Sequence, residues 1–205
     1  MTTPEPLRRL LADHSGSDAD VLARLHAQLV ERATADELLD VAYRTLDTPV
    51  GVLLLAATPI GLARVAFLSQ SHDDQVLTEL AEKVSPRILN APARLDAAAH
   101  QIEQYFTRRR RHFSVPLDFR LAHGFRRNVL GHLRDIAYGT TVSYATIAAA
   151  AGSPKAVRAV GSACATNPLP VIVPCHRVVR SDGSLGGYAG GLGVKRTLLD
   201  LEATP

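Results

Sequence analysis

The stretch Val171-Ile172-Val173-Pro174-Cys175-His176-Arg177-Val178-Val179 decides how the chain is read. Apolar residues on both sides predict buried strand or strand-like backbone, and Pro174 removes a ladder hydrogen bond in the middle and re-aims the chain. A thiol is thereby held on rigid backbone directly beside an imidazole. Cysteine is a nucleophile only as thiolate, and a neighbouring histidine is a common route to one near neutral pH. Taken alone, the pair is read as buried packing, because free cysteines are among the most buried residues and are mostly inert.

Working outward, Ser143 is placed to cap a short helix from Tyr144 to Ala151, and Gly152-Ser153 to turn the chain. Ser153 then caps a second helix, with Pro154 at its first position, running to about Ala165. Geometry leaves a helix-turn-helix and an ordinary helical hairpin evenly weighted. Composition tilts the balance. Pro154 to Ala163 is nearly all small residues, Ala156, Ala159 and Ser162 among them, with Lys155 and Arg158 as the only long side chains. Such a face admits close backbone approach, and one projecting arginine suits a wedge or a phosphate contact. Upstream, Gly124 to Ile136 reads as a further helix.

From Val41 to Phe67, three short apolar runs broken by Thr48-Pro49-Val50-Gly51 and Thr58-Pro59-Ile60-Gly61 predict an antiparallel meander. Apolar residues at helical spacing from Asp73 to Val84 and from Leu95 to Phe106 predict two amphipathic helices. A short strand is expected around Phe113 to Leu117. The fold class is therefore α+β, with a small sheet domain at 41–117 and a helical domain at 118–205 bearing a winged or helix-turn-helix motif and the cysteine. The basic run Arg108 to Arg111 compensates the preceding helix's negative end; contact with nucleic acid is its less favoured reading. Residues 1–40 read as a helical extension or linker. One helix is expected there over Val21 to Val30, capped near Ser17 to Asp20, and a second turn capped by Thr34.

The chain has 205 residues, 46% apolar and 21% charged, with net charge +3 and a sequence pI near 9.1. This suits one or two globular domains, permits nucleic acid as partner without demanding it, and indicates no disorder. No secretory pattern or membrane-length apolar run occurs, so a cytoplasmic protein is expected. Only Cys164 and Cys175 are present, which excludes a zinc site with several thiolates; His14 and His26 are read as solvated surface, and no metal or cofactor is expected.

These motifs together resemble the O6-alkylguanine-DNA alkyltransferases, the methylated-DNA-protein-cysteine methyltransferases. The resemblance rests on Tyr144, Pro154 to Gly161, Asn167-Pro168, Pro174 to Val179, Gly187 to Leu192, Lys195-Arg196 and Leu198 to Glu202. It runs in family order from Tyr138 to Glu202, and 41–111 fits the family's ribonuclease-H-like domain by shape only. It implies repair of double-stranded DNA containing O6-alkylguanine, with O4-alkylthymine as a second lesion. The base is flipped out from the minor groove while Arg158 fills the stack, and the alkyl group passes irreversibly, once per molecule, to Cys175. His176 takes the thiol proton through a water and Glu202 orients the imidazole. Tyr144 rotates the neighbouring phosphate and offers its hydroxyl to the purine, and Asn167 is the hinge. Tyr188, Ala189 and Gly190 close over the alkyl group, and the carbonyls of Cys175 and Val178 receive the exocyclic amine. Lys155, Ala156, Ala159 and Ser162 share the DNA face. A monomer is implied, with cooperativity on DNA left open. The alternative is a non-catalytic alkylated-DNA binder or regulator of the same fold. Cys175 argues against the first, and the lack of a second cysteine-bearing acceptor domain against the second. A thiol hydrolase would need an oxyanion hole and an acyl pocket.

Overall fold

A computed structural model of the chain describes residues 5–68 and 73–203, with side chains from residue 18 onward and without that of Asp73. By internal contacts the chain forms two units, residues 1–39 and 40–205. The first is a single helix, α1 (Glu5–Ala35). It runs unbroken through Asp18–Asp20, so the cap expected there is corrected: strong helix formers such as Ala and Leu on both sides carry the helix past these acids. Ser17's side chain and His14 lie outside the described side chains. Thr34 does not cap a second turn, because its hydroxyl donates back to Val30 O at 2.7 Å, the i−4 bond that competes with capping.

The second unit opens with the meander β1 (Val41–Thr48), β2 (Gly51–Ala57) and β3 (Leu62–Phe67). All three pair antiparallel. A strand absent from the expectation, β4 (Ile88–Asn90), pairs parallel to β1, giving the order β3-β2-β1-β4. At three residues it is too short to show a period. Leu53, Leu54, Leu55 and Ala56 are all fully buried, so both faces of the sheet are covered. Helix α2 (Asp73–Lys83) sends Val76 and Leu80 onto the Leu54–Ala56 face. Helix α3 (Asp96–Phe106), entered by a 3-10 turn at Pro92–Leu95, buries Ala98, Ala99, Ile102 and Tyr105. The strand expected at Phe113–Leu117 reduces to one bridge between Leu117 and Leu62, since Pro116 has no N–H to extend a ladder.

Helices α4 (Gly124–Arg134), α5 (Tyr144–Ala150) and α6 (Val157–Ala165) pack on one another. Two residues of β5 (Val142–Ser143) pair parallel with β6 (Val178–Val179). Ser143 caps α5 by accepting from Thr146 N at 3.0 Å. α6 starts three residues later than expected. Pro154 and Lys155 occupy a turn closed by Ala156 N donating to Ser153 O at 2.8 Å, the position i+1 that proline's fixed φ favours. The final helix, α7 (Gly191–Ala203), buries Lys195, Leu198 and Glu202, spaced three and four apart on one face. Among the described residues no helix is long and apolar enough to cross a membrane.

Candidate active site around Cys175

The cysteine stretch is buried as expected up to Val178, but only its end, Val178–Val179 of β6, is strand. Pro168, Pro170 and Pro174 withhold three donors from any ladder, so the chain folds on itself instead: Val173 N donates to Leu169 O and Cys175 N to Val173 O, both at 2.8 Å. Pro174, at φ −80° and ψ 63°, is the centre of an inverse γ-turn. A 3-10 turn, Cys175–Arg177, follows it. Val171 adopts φ +72°, a left-handed conformation strained for a β-branched residue by about 1–3 kcal/mol. The strain is tolerated because the surrounding packing is fixed: residues 167–178 are all buried.

Asn167, directly after α6, holds this turn together. Its Nδ2 donates to Val173 O at 2.8 Å and to the Cys175 Sγ at 3.2 Å, and its Oδ1 accepts from Leu169 N at 2.9 Å. The end of the helix-turn-helix is thus tied to the thiol. Burial pushes the Cys175 thiol up to about 11, against the opposing pull of the Asn167 amide and the Lys195 charge. The resting group is a neutral thiol that needs a base.

The neighbouring imidazole is held from behind. His176 Nε2 lies 2.9 Å from Glu202 Oε1. Oε1 also accepts from the Tyr105 hydroxyl at 2.7 Å and from an Arg177 terminal nitrogen at 2.9 Å. Oε2 accepts from Arg177 Nε at 2.8 Å and Gly139 N at 3.1 Å. Burial alone would raise the Glu202 carboxyl, but these donors, His176 and Arg177 foremost, hold it well below the usual carboxylate range. An ionised Glu202 accepts only, so Nε2 carries the imidazole proton and Nδ1 is left as acceptor. Nδ1 is buried and meets no hydrogen-bond partner among the described residues. Burial lowers the His176 pKa despite the Glu202 charge, which keeps the ring neutral at pH 7 and able to take a proton.

The remaining predicted residues surround this core. Tyr144 is half-buried at the start of α5, and burial, then the nearby Cys164 and Cys175, push its hydroxyl up to about 12. Its ring edge and hydroxyl press on Gly186, where any Cβ would collide with them. Val178 O accepts from Lys195 Nζ at 2.6 Å. The ring of Tyr188 lies edge-on to Phe67 and to His176, with its hydroxyl buried beside the Val171 backbone. Ala189 is exposed, and Gly190 lies against Phe67. Arg158, Ala159 and Ser162 are exposed on α6, Lys155 is exposed in the turn before it, and Ala156 is its half-buried N-cap. No hydrogen bond links the thiol to the His176 ring. Cys164 is buried on α6, and burial pushes it up to about 12. Among the described residues no three His, Cys, Asp or Glu converge to hold a metal.

Tyr105, Arg177 and Lys195 were not singled out by sequence reasoning as site residues. Arg177 carried a signal: a guanidinium inside a buried apolar run requires an ionised partner. Lys195 shares a helical face with Leu198 and Glu202, so the spacing placed it. Nothing local marked Tyr105, which reads as core aromatic of α3.

Fold and site define a protein with a buried cysteine, followed in sequence by a Glu202-held imidazole, and tied through Asn167 to a helix-turn-helix. Residues 41–119 match the family model described as 6-O-methylguanine DNA methyltransferase, ribonuclease-like domain, and residues 124–204 the corresponding DNA binding domain. The constitutive methylated-DNA–protein-cysteine methyltransferase of Bacillus subtilis is 42% identical, covering 78% of this chain and 94% of that protein. The bifunctional transcriptional activator/DNA repair enzyme Ada of Escherichia coli is 41% identical over 82% of this chain, which spans 47% of Ada's length. The structure of the Mycobacterium tuberculosis OGT in complex with DNA superimposes with a TM-score of 0.68 at 38% identity, covering 80% of this chain and 93% of that one. The chain belongs to the 6-O-methylguanine DNA methyltransferase family.

Proposed function

We propose that this chain repairs DNA by taking the alkyl group of O6-alkylguanine onto Cys175, once and irreversibly. Relatives about 40% identical over most of the chain carry the name methylated-DNA–protein-cysteine methyltransferase. The observation that carries the assignment to Cys175 is the thiol held 3.2 Å from the hinge amide of Asn167, next in sequence to an imidazole whose Nε2 is fixed on Glu202.

The chemistry then follows from the groups present. A water between Sγ and the unpartnered His176 Nδ1 passes the thiol proton to the ring, and Glu202 stabilises the imidazolium that forms. The thiolate attacks the alkyl carbon in line, the carbon–O6 bond breaks, and its electron pair stays on the purine. Tyr144, still protonated at neutral pH, donates its hydroxyl to that developing charge. The S–C bond of the product has no good leaving group, and no residue of the site is placed to reverse the transfer. Arg158, exposed on α6, fills the gap left by the flipped base, while Lys155, Ala156, Ala159 and Ser162 lie along the backbone. Val178 O and Cys175 O accept from the exocyclic amine, and Tyr188, Ala189 and Gly190 cover the substituent. The protein acts as a monomer, in a reducing cytoplasm where both cysteines stay thiols.

Titration with excess duplex carrying radiolabelled O6-methylguanine tests this. Label on protein should plateau at one methyl per molecule. Continued turnover, or label that stays on the DNA, would contradict the reading.

A further inference from the structure

Strand β3 does more than close the sheet. Its outer edge is occupied from two sides: Leu62 N donates to Pro116 O of the sheet domain and Val65 N to Pro168 O of the cysteine-bearing half, both at 2.8 Å, the latter next to Asn167. At its end, the Phe67 ring stands edge-on to Tyr188, with centroids 5.7 Å apart and planes at 65°. Gly190 rests on the same ring, where a Cβ would lie 3.0 Å from two of the ring carbons. Phe67 and Val50 pack with Tyr188 and Val194 in one apolar cluster. Phe67, Val50, Pro170, Ala189 and Gly190 line a groove of about 1050 Å³.

We propose that Phe67 is a specificity-determining positioning residue: by seating the Tyr188–Gly190 segment against β3, it sets the room left over Cys175 for the O6 substituent. This rests on the reading of Cys175 as alkyl acceptor. Residues 184–188 have no regular secondary structure, and the buried Tyr188 hydroxyl faces the Val171 backbone. Packing of the Tyr188 ring and of Gly190 on Phe67 therefore fixes which way the segment leans on β3. Aromatic pairs of this geometry are directional as well as adhesive. The bare Gly190 lets the ring come close, and the groove beside it offers the segment space to relax into when the ring is removed. A methyl, which needs close walls to be aligned, then loses more than a benzyl group, which fills the enlarged space itself.

The test compares transfer rates from duplexes carrying O6-methylguanine and O6-benzylguanine. Phe67→Ala should raise the benzyl-to-methyl rate ratio by about tenfold or more, the scale of discrimination that pocket fit supplies, and Phe67→Leu by less. Gly190→Ala should shift the ratio the opposite way in the parent and lose most of that effect in the Phe67→Ala background, because the methyl it adds no longer meets the ring. Phe67→Leu keeps most of the apolar volume, so a folded variant is available even where Phe67→Ala is unstable. Equal scaling of both rates in both Phe67 variants, or a Gly190→Ala shift indifferent to Phe67, would overturn the proposal while leaving alkyl transfer intact. A parent protein that accepts neither group would overturn the underlying reading as well.

Discussion

Behind Cys175, both carboxylate oxygens of Glu202 are occupied, with donors arriving from α3, the turn after α4 and the cysteine turn itself. On the proposed DNA face, Arg158 of α6 and Lys155 just before it are exposed. The two sides are built for different partners. A buried ion pair is costly unless every lone pair is satisfied, so the rear is saturated by the protein and holds one imidazole in one tautomer. On the proposed reading, the exposed α6 face is left open for a polyanion whose phosphates supply the missing counter-charges. Changes behind the thiol should therefore damage folding and every substrate together, and changes in front should damage only duplex substrates.

The sharpest way to break this contrast is Glu202→Ala. It strands the Arg177 charge and the His176 ring in the interior, and should cost about 3–5 kcal/mol of stability while slowing transfer from duplex and from free O6-benzylguanine alike. Stability measured by denaturant titration, alongside both rates, checks it; a loss on duplex only would place Glu202 with the DNA-binding side. The same site predicts an acid limit. Glu202 is held below its ordinary value of 4.5 and His176 below 6.5. Both depressed groups give stability that is full above those values and is lost as pH falls below them. Melting temperature should decline from pH 6.5 downward, and Glu202→Gln should flatten the part of that decline below pH 4.5.

Alkylating Cys175 sharpens the comparison from the other direction. Cys175 is 1% exposed and its thiol is hydrogen-bonded to Asn167, so an added methyl overfills a packed interior at a cost of about 1–3 kcal/mol. The alkylated protein should melt lower than the free one, more so for benzyl, and release DNA more readily; an unchanged midpoint after complete benzylation would show spare room. The smallest effect belongs to the front. Arg158→Ala should slow duplex repair about tenfold, a modest share of the few kcal/mol that base flipping costs, and leave melting and the reaction with free O6-benzylguanine unchanged. Equal losses on both substrates would mean that Arg158 serves the chemistry.

What was legible in the sequence divides along similar physical lines. The meander, α2, α3 and the Ser143 cap were readable because period, turn residues and capping act over a few residues. Tyr105 was not, since its bond to Glu202 joins positions 97 apart and an aromatic on a helix's inner face looks the same whether or not its hydroxyl meets an acid. Phe67 was hidden for the same reason: its contact with Tyr188 comes from the placement of β3, not from local pattern. The misread stretches were the proline-punctuated ones. Around Val171 and Pro154, apolar and capping signals pointed to strand and helix, and the missing N–H groups favoured turns.

The central claim is that the thiol held by Asn167 and served by His176 is the alkyl acceptor. Mass spectrometry of the full chain after incubation with duplex DNA containing O6-methylguanine tests it most directly, with peptide mapping and the Cys175→Ser variant in parallel. The account predicts one added methyl, located on Cys175, and none on the variant, which should still bind the alkylated duplex. A methyl on Cys164, or full transfer to the Cys175→Ser protein, would contradict it.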